Sequence, residues 1–563
     1  MLSVYLVGFA PVVAVLLLLV KVAKVGRRPA GLPPGPPTLP LIGNLHLMPT
    51  QRPHLQFQKW AEEYGPIYSL ILGTKTVIVL SSDTAVKDLL DKKGGIYSDR
   101  PDMFIGQKIA SGNHRLVVMK YGTNWRMIHK MVHNILNIKS AITYVPYQDL
   151  ENKILLGSLL DTPEDLLFHI RRFTYSLSTQ MIFGYRCVDN KDPNLLQLFA
   201  VGAPSHALTG LSRLTPLKCF ENWGKLAGSS SAQLADLYPF IQNLPEAIAP
   251  NVRYARNLHE VERKLYVGHW MRAKRALDNG TGLPCFCNDI YQGQTAQGFS
   301  DDAAGYISGS LLEAGSDTTA STLYGFILAL LVWPEVQRRA QEEIDRVVGS
   351  ERLPNMDDYD DLFYVRCCIK ESLRWMPTVV LGVPHAALEE DSYMGYTIPK
   401  GSSVINNVWA IHMDPERSPD PRVFNPDRFK DDRTTLYQSA IGDTKKRDNF
   451  VFGAGRRLCQ GIHIAERSLF LGFSRLLWSF NFSPAKDDME KPVQYDIEDL
   501  VGGITVQPND FPAIITPRSS EKAKIIRKEA LECQELLDPA TGQWKKIPDG
   551  MAFSTWRPEK VGS

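Results

Sequence analysis

Residues 452–461 read "FGAGRRLCQG", a short segment in which three glycines and two arginines surround one cysteine, Cys459. The residues that follow, "IHIAERSLFLGFSRLLWSF", have the apolar periodicity of a helix, so Cys459 is predicted to lie at a loop-to-helix junction. Helix N-terminal amides favour a thiolate, and Gly455 and Gly461 allow a tight turn that brings further amides close to the sulfur. We therefore interpret Cys459 as a functional thiolate rather than an inert core thiol.

The bulk composition indicates a globular protein and excludes several function classes. The chain has 563 residues, of which 44% are hydrophobic, enough for a large core. Its 63 basic residues are nearly balanced by 61 acidic ones, without a long basic tract, which argues against a nucleic-acid-binding protein. The eight cysteines show no spacing typical of a disulfide framework or a zinc ribbon, so a reducing compartment is expected.

The N-terminal residues predict a membrane anchor. Residues 2–20 carry no charge and are almost all apolar, so residues 1–20 are predicted to form a transmembrane signal-anchor helix. Basic residues follow this run instead of preceding it, which disfavours the alternative of a cleaved signal peptide and places the remaining chain in the cytosol. Residues 21–50 are predicted to be a basic and proline-rich hinge, extended and semi-rigid, that acts as a spacer.

Residues 51–518 are predicted to be one mainly α domain with a minor β region, because helical periodicity dominates them. The segments "IYSLILGTKTVIVLSS" and "YMGYTIPKGSSVINNV" each look like a β-hairpin. A long helix is expected from about Ser300 to Trp333, with a cap-like start and a proline directly after its end. Residues 519–563 are a highly charged extension, which predicts a solvated helix followed by a mobile tail.

The pattern formed by Phe452, Gly455, Arg457, Cys459 and Gly461 resembles the haem-binding loop of the cytochromes P-450. The resemblance implies that residues 51–518 are a haem-thiolate catalytic domain, in which the Cys459 thiolate is the axial ligand of the iron of haem b. It also implies that Phe452 shields the sulfur and that Arg457 binds a haem propionate. The implied fold is a mainly helical triangular prism, with the haem between a long central helix and the cysteine loop.

A second motif agrees with this resemblance. Glu371 and Arg374 in "KESLRW" lie three residues apart on one helix face, where the plain alternative is a surface ion pair. Together with Arg428 in "FNPDRF" they match the Glu-Arg-Arg triad of the family, which locks the segment leading to the cysteine loop. Asp427 stands where many members carry glutamate. We expect a structural role for the triad in haem retention.

The predicted long helix contains "EAGSDTTAS", an unusual sequence for a core helix. Ala314 and Thr318 are four residues apart and share a face, and the Thr318 hydroxyl can bond a carbonyl one turn back. The segment resembles the oxygen-binding groove of the family. By that resemblance Ala314 and Gly315 leave space for O2, while Asp317 and Thr318 deliver protons through water. The alternative is a buried hydroxyl that is merely satisfied by its own helix.

Three further residues match family positions that bind the haem propionates. Trp125 in "YGTNWRMIHK" resembles the propionate-binding tryptophan, and the basic residue four positions later is His129, where arginine is common. His385 in "GVPHAA" matches another propionate donor. A histidine need not be charged at neutral pH, and each of these two could instead be an ordinary half-buried histidine.

Basic residues flank the haem-contacting motifs, on the side where the family docks an acidic NADPH-cytochrome P-450 reductase. As a cluster they could steer such a partner electrostatically, although any one of them could be a simple solvated charge. The residues are Arg126, Lys130, Lys445, Lys446, Arg447 and Arg456.

The resemblance covers about residues 32–518 and implies a monooxygenase that inserts one oxygen atom of O2 into a substrate C–H bond, with electrons from NADPH through the reductase. Less favoured alternatives are a haem-binding sensor and a reductase-independent isomerase or dehydratase. With the predicted anchor, the expected location is the endoplasmic reticulum membrane, single-pass, in contact with membrane lipid and with the catalytic domain in the cytosol.

The substrate pocket implied by the family is largely lined by apolar or small residues, which suits a small, mostly apolar molecule. Three segments are similar in sequence to filamentous-fungal members that oxidise small phenolic or aromatic polyketide intermediates of secondary metabolism. These segments are "SDRPDMFIGQ", "VPHAALEED" and "GRRLCQGIHIAERSLFLG". A terpenoid or fatty-acid-like substrate is the alternative. The pocket segments are the one after Arg100, residues 308–314, residues 378–383 and the turn around Ile504.

Overall fold

A computed structural model describes residues 20, 22–199, 219–227, 230–246, 249–503 and 505–551, and it has the mainly helical architecture that the sequence predicts. The α-helices are α1 (Pro53–Tyr64), α2 (Asp83–Val86), α3 (Thr123–Leu136), α4 (Ile138–Thr143), α5 (Val145–Asp161), α6 (Leu166–Phe183), α7 (Pro193–Phe199), α8 (Cys219–Ala227), α9 (Ser230–Leu237), α10 (Pro250–Asp278), α11 (Phe286–Gln297), α12 (Asp301–Val332), α13 (Pro334–Val347), α14 (Phe363–Trp375), α15 (Val408–His412), α16 (Leu436–Ile441), α17 (Ile462–Ser479) and α18 (Ser520–Glu535).

The strands form four small sheets. They are β1 (Ile67–Leu72), β2 (Lys75–Leu80), β3 (His385–Ala386), β4 (Asp391–Tyr393), β5 (Tyr396–Ile398), β6 (Ser403–Asn406), β7 (Phe480–Pro484), β8 (Leu500–Val501), β9 (Gln507–Pro508) and β10 (Ala513–Pro517). The first predicted hairpin is confirmed as β1 and β2. The second is only partly right, because β4 pairs with β5 whereas β6 runs parallel to β2 in the four-stranded sheet β1-β2-β6-β3.

The long helix α12 organises the core, and its predicted limits are confirmed. The Ser300 side chain accepts a hydrogen bond from the Ala303 N–H group at the start, and the helix ends just before Pro334. Nearly its whole length is buried against α6, α10 and α17. This burial explains why the helix is apolar without being a membrane span.

The described part of the proline-rich segment is packed onto the sheet, and its role as a spacer stays a prediction. Arg28 donates hydrogen bonds to the carbonyl of Gly35 and, at 2.9 Å, to the carbonyl of Ser69 in β1. Asn44 is fully buried, where it donates to the Pro36 carbonyl and accepts from the Ile71 N–H group. The prolines fix an extended chain, but polar side chains fasten that chain to the catalytic body.

The C-terminal extension is part of the fold up to residue 551. The predicted helix is confirmed as α18 and most of its residues are exposed, but one face of it is docked; residues 552–563 of the predicted tail lie outside the described residues. Helix α18 packs against α5 and buries Ile526 and Cys533. Beyond it, Trp544 is 9% exposed, lies against Tyr147 with ring centroids 5.5 Å apart, and donates to Gln180 Oε1 at 2.7 Å.

The predicted signal-anchor at 1–20 lies almost wholly outside the described residues. Within the described part of the chain no single helix is long and apolar enough to cross a membrane, and only the sharply bent pair α12 and α13 has a sufficient combined length and composition.

We predict that Trp544→Ala lowers the free energy of unfolding by about 3 kcal/mol, because it removes a buried aromatic ring and leaves the side-chain oxygen Oε1 of Gln180 without its hydrogen-bond donor. Denaturant unfolding measures the loss. The matched control is Lys546→Ala, two residues away, whose side chain is 77% exposed and which should change stability by less than about 0.5 kcal/mol. Equal stabilities of both variants would contradict the integrated extension.

Candidate functional site

The loop that carries Cys459 is closed by its own backbone and held against a neighbouring segment. The Cys459 N–H group donates to the Phe452 carbonyl at 2.8 Å, and Phe452 is half-buried against the core around α17. Gly455 has φ +59°, and a Cβ there would lie 2.0 Å from the Leu90 carbonyl oxygen. This glycine is therefore required both by its left-handed conformation and by the close backbone approach.

The thiol of Cys459 behaves differently from the expectation drawn from its sequence context. Its side chain is accessible from a cavity, yet protein atoms crowd the sulfur, and burial raises the pKa of the thiol. The Gly461 N–H group opposes this by lowering the pKa, but its effect is the smaller one. The prediction of a lowered pKa is thus wrong for the protein alone, and a bound cation is needed to hold the thiolate.

The predicted triad is assembled. Glu371 is fully buried and accepts two hydrogen bonds from Arg374, at 2.6 and 2.7 Å, and one from Arg428 at 3.3 Å. The Asn425 N–H group adds a fourth at 2.8 Å. Asp427, at the family's glutamate position, pairs with Arg339 through two hydrogen bonds of 2.7 Å.

His412 connects the triad to the cysteine loop and was missed in the sequence, since nothing local marks it. It donates from Nδ1 to the Arg374 carbonyl at 3.1 Å and accepts at Nε2 from the Phe450 N–H group at 2.9 Å. Burial, aided by the Arg374 charge, lowers the pKa of His412 to about 3. The ring is therefore neutral at physiological pH, which its acceptor role requires.

Three basic side chains converge in the interior near the loop. Arg100 and His385 are buried and Arg457 is half-buried, and burial is the main cause that lowers the pKa of each. The Arg457 charge also lowers the pKa of Arg100, and both arginine charges lower that of His385. For Arg457 the pKa falls to about 10, and the Asp99 carboxylate opposes the shifts of the two arginines. Arg100 was missed as a site residue, although it is the arginine of the quoted "SDRPDMFIGQ".

His385 and His129 are both uncharged in this setting. His385 donates from Nδ1 to the Tyr97 carbonyl at 2.7 Å, so it could donate to a carboxylate from Nε2 only as an imidazolium. The ring of His129 lies 4.5 Å from that of Trp125, and burial lowers the pKa of His129 to about 4. The guanidinium carbon of Arg457 lies over the Trp125 ring, 4.1 Å from its centroid.

The middle of α12 opens onto an internal space. Ala314 and Gly315 are exposed although Leu312 and Ser316 beside them are fully buried. The Thr318 hydroxyl donates to the Ala314 carbonyl at 2.8 Å, as the sequence predicts. Small side chains thus leave room along one turn of an otherwise packed helix.

Asp317 is held by a residue that sequence reasoning did not identify. The Thr505 hydroxyl donates to Asp317 Oδ2 at 2.7 Å. Thr505 follows Ile504, which lies outside the described residues, in the turn between β8 and β9. The only sequence signal was the assignment of that turn to the pocket.

All four predicted pocket segments are joined by hydrogen bonds among the described residues. Arg100 donates to the Val383 carbonyl at 2.6 Å, and the Val506 N–H group donates to the Thr378 carbonyl at 2.8 Å. The Leu116 N–H group reaches Ser310 Oγ on α12 at 3.4 Å, and the Thr505–Asp317 bond completes the ring. These segments therefore surround one region beside α12.

Most of the predicted basic surface is exposed, with one correction. Arg126 and Arg456 lie on either side of Tyr121, with guanidinium carbons 5.9 and 5.6 Å from its ring centroid, and Lys130 is exposed one turn after Arg126. Arg447, however, is buried and donates to the Gly453 carbonyl at 2.5 Å. Lys446 is exposed, and the side chain of Lys445 lies outside the described residues.

A cavity of about 600 Å³ lies on this basic side and reaches Cys459. Arg456, His129, Ile138 and Tyr437 line it together with the cysteine. The Ile138 and Tyr437 side chains are exposed at its rim, so the surface offers apolar as well as basic contacts.

The residues present fit a haem. Arg100 and Arg457 form an internal excess of positive charge, and His385 beside them becomes cationic when a carboxylate favours its protonated form, so the three match a group with two carboxylates, such as the haem propionates. The thiol of Cys459 provides a soft ligand for the iron. The small residues of α12 and the accessible Cys459 provide the internal surface that such a flat ligand needs.

Comparison with known proteins agrees with this fit. The family model described as Cytochrome P-450 matches residues 33–509. The chain is 50% identical to the cytochrome P-450 monooxygenase virE of Hypocrea virens over 96% of this chain and 95% of that protein. It is 46% identical to fogE of Aspergillus ruber, over 96% and 97%, and 46% identical to fsoB of Humicola fuscoatra, over 94% and 95%. Both are named cytochrome P-450 monooxygenases.

We predict that Glu371→Gln lowers the free energy of unfolding by about 3–5 kcal/mol and releases haem, because two arginines lose the charge that balances them in the interior. Denaturant unfolding and haem content per chain measure the effect. Glu342→Gln is the control, because it breaks the exposed Arg338–Glu342 pair and should cost less than about 0.5 kcal/mol. Retention of haem and stability by Glu371→Gln would contradict a locking role.

Proposed function

This chain belongs to the cytochrome P-450 family of haem monooxygenases, and we propose that it oxidises a small, mostly apolar phenolic or aromatic polyketide intermediate of fungal secondary metabolism. The enzyme is an oxidoreductase with a haem-iron cofactor, and its electrons come from NAD(P)H through a reductase. The reaction inserts one oxygen atom of O2 into a C–H bond of the substrate and converts the other to water.

In this proposal each group of site residues has one task. Haem iron, when bound, supplies the activation of O2. Cys459 binds the iron, while Phe452 and Gly461 shape the loop around the sulfur. Trp125, His129, His385 and Arg457 hold the propionates, and Arg100 joins them. The two arginine cations would pair with the carboxylates, and a carboxylate beside either histidine would favour its protonated form.

The groove of α12 positions O2 and protons. Ala314 and Gly315 leave space for O2 beside the Thr318 hydroxyl, whose bond to the Ala314 carbonyl holds it in a fixed place. Asp317, fixed by Thr505, accepts and passes protons through water. Protons are consumed because one oxygen atom of O2 leaves as water.

The convergence of the four pocket segments is the observation that carries the substrate proposal. The half-buried Val383 forms an apolar cluster there with Ile105 and Val118, and Val380 and Val506 pack behind these segments against Trp409 and Met413. An apolar side chain such as Val383 favours an aromatic ring or alkyl group.

We predict that p-cresol and toluene shift the haem spin state of the ferric enzyme in an optical titration, whereas lauric acid and limonene do so only at much higher concentration. An aromatic ring fits the apolar wall, while a free carboxylate or a bulky terpene does not. A response to lauric acid or limonene alone would favour the alternative substrate class and leave the monooxygenase assignment intact.

A matched pair of variants links the titration to the wall. Val383→Phe enlarges a half-buried side chain of the proposed site and should weaken p-cresol binding at least about tenfold. Val423→Phe makes the same change at a side chain that is 44% exposed and should leave binding unchanged. Haem content must be equal in both variants, and equal affinities would then argue against residues 378–383 as substrate contacts.

The electron donor is proposed to be an acidic NADPH-cytochrome P-450 reductase that docks on the basic side of the molecule. The cavity of about 600 Å³ extends from Arg456 at the rim to Cys459, so a partner seated there approaches the iron ligand directly. Arg126, Lys130 and Lys446 supply positive charge around it, and Ile138 and Tyr437 supply apolar contacts.

We predict that the double variant Lys130→Gln, Arg456→Gln slows haem reduction by the reductase about three- to tenfold at low salt and flattens its salt dependence, because it removes steering charge. Stopped-flow reduction measures the rate. The control double variant Lys486→Gln, Lys528→Gln removes the same charge from exposed sites elsewhere and should have little effect. Unchanged kinetics in the first variant would falsify the docking surface.

The proposed location is the endoplasmic reticulum membrane, with residues 1–20 as a single-pass anchor and the catalytic domain in the cytosol. The uncharged run of residues 2–20 followed by basic residues supports this. Exposed Leu41 and Phe240 provide an apolar patch near that end of the chain, since the Tyr238 hydroxyl donates to the Leu41 carbonyl at 2.9 Å. The patch could rest on membrane lipid.

A further inference from the structure

A buried ionic cluster lies beside the groove of α12 and has no part in the functions described so far. Arg115 is fully buried and donates to Glu313 and, at 2.5 Å, to Glu262. Its guanidinium also lies 4.1 Å from the Trp223 ring centroid. The Tyr266 hydroxyl donates to the second oxygen of Glu313. Glu313 is therefore held in one orientation by two donors from different elements.

Glu313 also faces the surroundings of Asp317. The two residues are four apart on α12 and share a helix face. Both line a small cavity of about 50 Å³, together with Thr505 and Gln507. That volume admits more than one water molecule, and the lining offers enough polar groups to bond it. A carboxylate with two bonded oxygens still has lone pairs free for water.

The two carboxylates of the cluster have different surroundings. Burial raises the pKa of Glu262, against the opposing effect of Arg115. Glu262 bonds Arg115 but does not line the cavity, whereas Glu313 bonds Arg115 and lines the cavity together with Asp317. The cavity wall beside Asp317 therefore includes the carboxylate that is ion-paired with Arg115, and Arg171 is a cation on the same wall.

We propose that Glu313 is a positioning residue for proton delivery, which holds water in this cavity against Asp317 so that Asp317 regains a proton between transfers. In this step a cavity water gives a proton to the Asp317 carboxylate and takes one from solvent, and Glu313 only orients it. Each monooxygenation consumes NADPH, O2 and one solvent proton, and yields hydroxylated product, water and NADP⁺. The inference rests on the proposed roles of Asp317 and Thr318.

The competing explanation is that Glu313 only neutralises Arg115. The cluster provides its own control, because Glu262 also bonds Arg115 but does not line the cavity. Glu262→Gln removes the other carboxylate that contacts Arg115 and leaves the Arg115–Glu313 pair intact. Glu313→Gln keeps the shape of the side chain but removes the charge from the cavity. A structural role alone predicts that the variants differ only in stability.

The test uses full-length haem-loaded enzyme with reductase and NADPH, with p-cresol and without it. The fraction of consumed O2 that is released as H2O2 and the solvent deuterium isotope effect on NADPH oxidation are the two readouts. For Glu313→Gln we expect the H2O2 fraction to rise at least about threefold and the isotope effect to increase, because slow proton delivery favours peroxide release. For Glu262→Gln both readouts should match those of the wild type.

Two further variants keep the test decisive if Glu313→Gln does not retain haem. Tyr266→Phe removes one donor to Glu313 but leaves the ion pair, and it should shift both readouts in the same direction by a smaller factor. Glu313→Asp keeps the charge and should restore part of the wild-type coupling. Wild-type values in Tyr266→Phe, or in a haem-loaded Glu313→Gln, overturn the proposal, as do equal shifts in Glu262→Gln.

The two levels of inference remain distinguishable. Uncoupled O2 consumption needs no identified substrate, so a failure of p-cresol to bind affects only the substrate assignment. Absence of any NADPH-dependent O2 consumption in the wild-type enzyme would instead overturn the monooxygenase mechanism, and with it the role of Glu313.

Discussion

The buried carboxylate of Glu371 is the interaction on which the rest of the site depends. It accepts hydrogen bonds from Arg374, Arg428 and the Asn425 backbone, so a helix and a distant loop share one charge. Arg374 also donates a hydrogen bond to the His412 carbonyl, and the His412 ring accepts one from the Phe450 N–H group at the start of the cysteine loop. This chain of buried contacts fixes the position of the cysteine loop and of its thiol. Breaking the first contact leaves two guanidinium groups uncompensated in the interior.

Features encoded in local sequence were predictable. The cysteine loop, the triad and the limits of α12 follow from short patterns, because glycines, caps and an i, i+3 pair act between near neighbours. His412 and Thr505 could not be found in this way, since their roles exist only where distant segments meet. Arg447 was misjudged because a run of basic residues normally points to solvent, whereas this one reaches the Gly453 carbonyl inside the protein. The high charge content of α18 also hid the apolar face by which this helix packs against the protein.

Electrostatics in this protein are organised by burial as much as by charge. Burial raises the pKa of Cys459 and lowers those of His129, His385 and Arg457, so it disfavours the charged form of each group, although Arg457 with a pKa of about 10 stays charged at neutral pH. An anionic cofactor with a cationic metal reverses both tendencies at once, since its carboxylates favour the protonated bases and its iron favours the thiolate.

The docked C-terminal extension has a consequence for biosynthesis. Gln180 and Trp544 are 364 residues apart, so at the usual pace of translation roughly 20–70 s pass between the emergence of α6 and that of its indole partner. During that time Tyr147 of α5, Gln180 of α6 and Arg186 just beyond α6 lack their contacts with the extension. Folding of this face therefore finishes only after Trp544 has left the ribosome, long after α5 and α6 have been made.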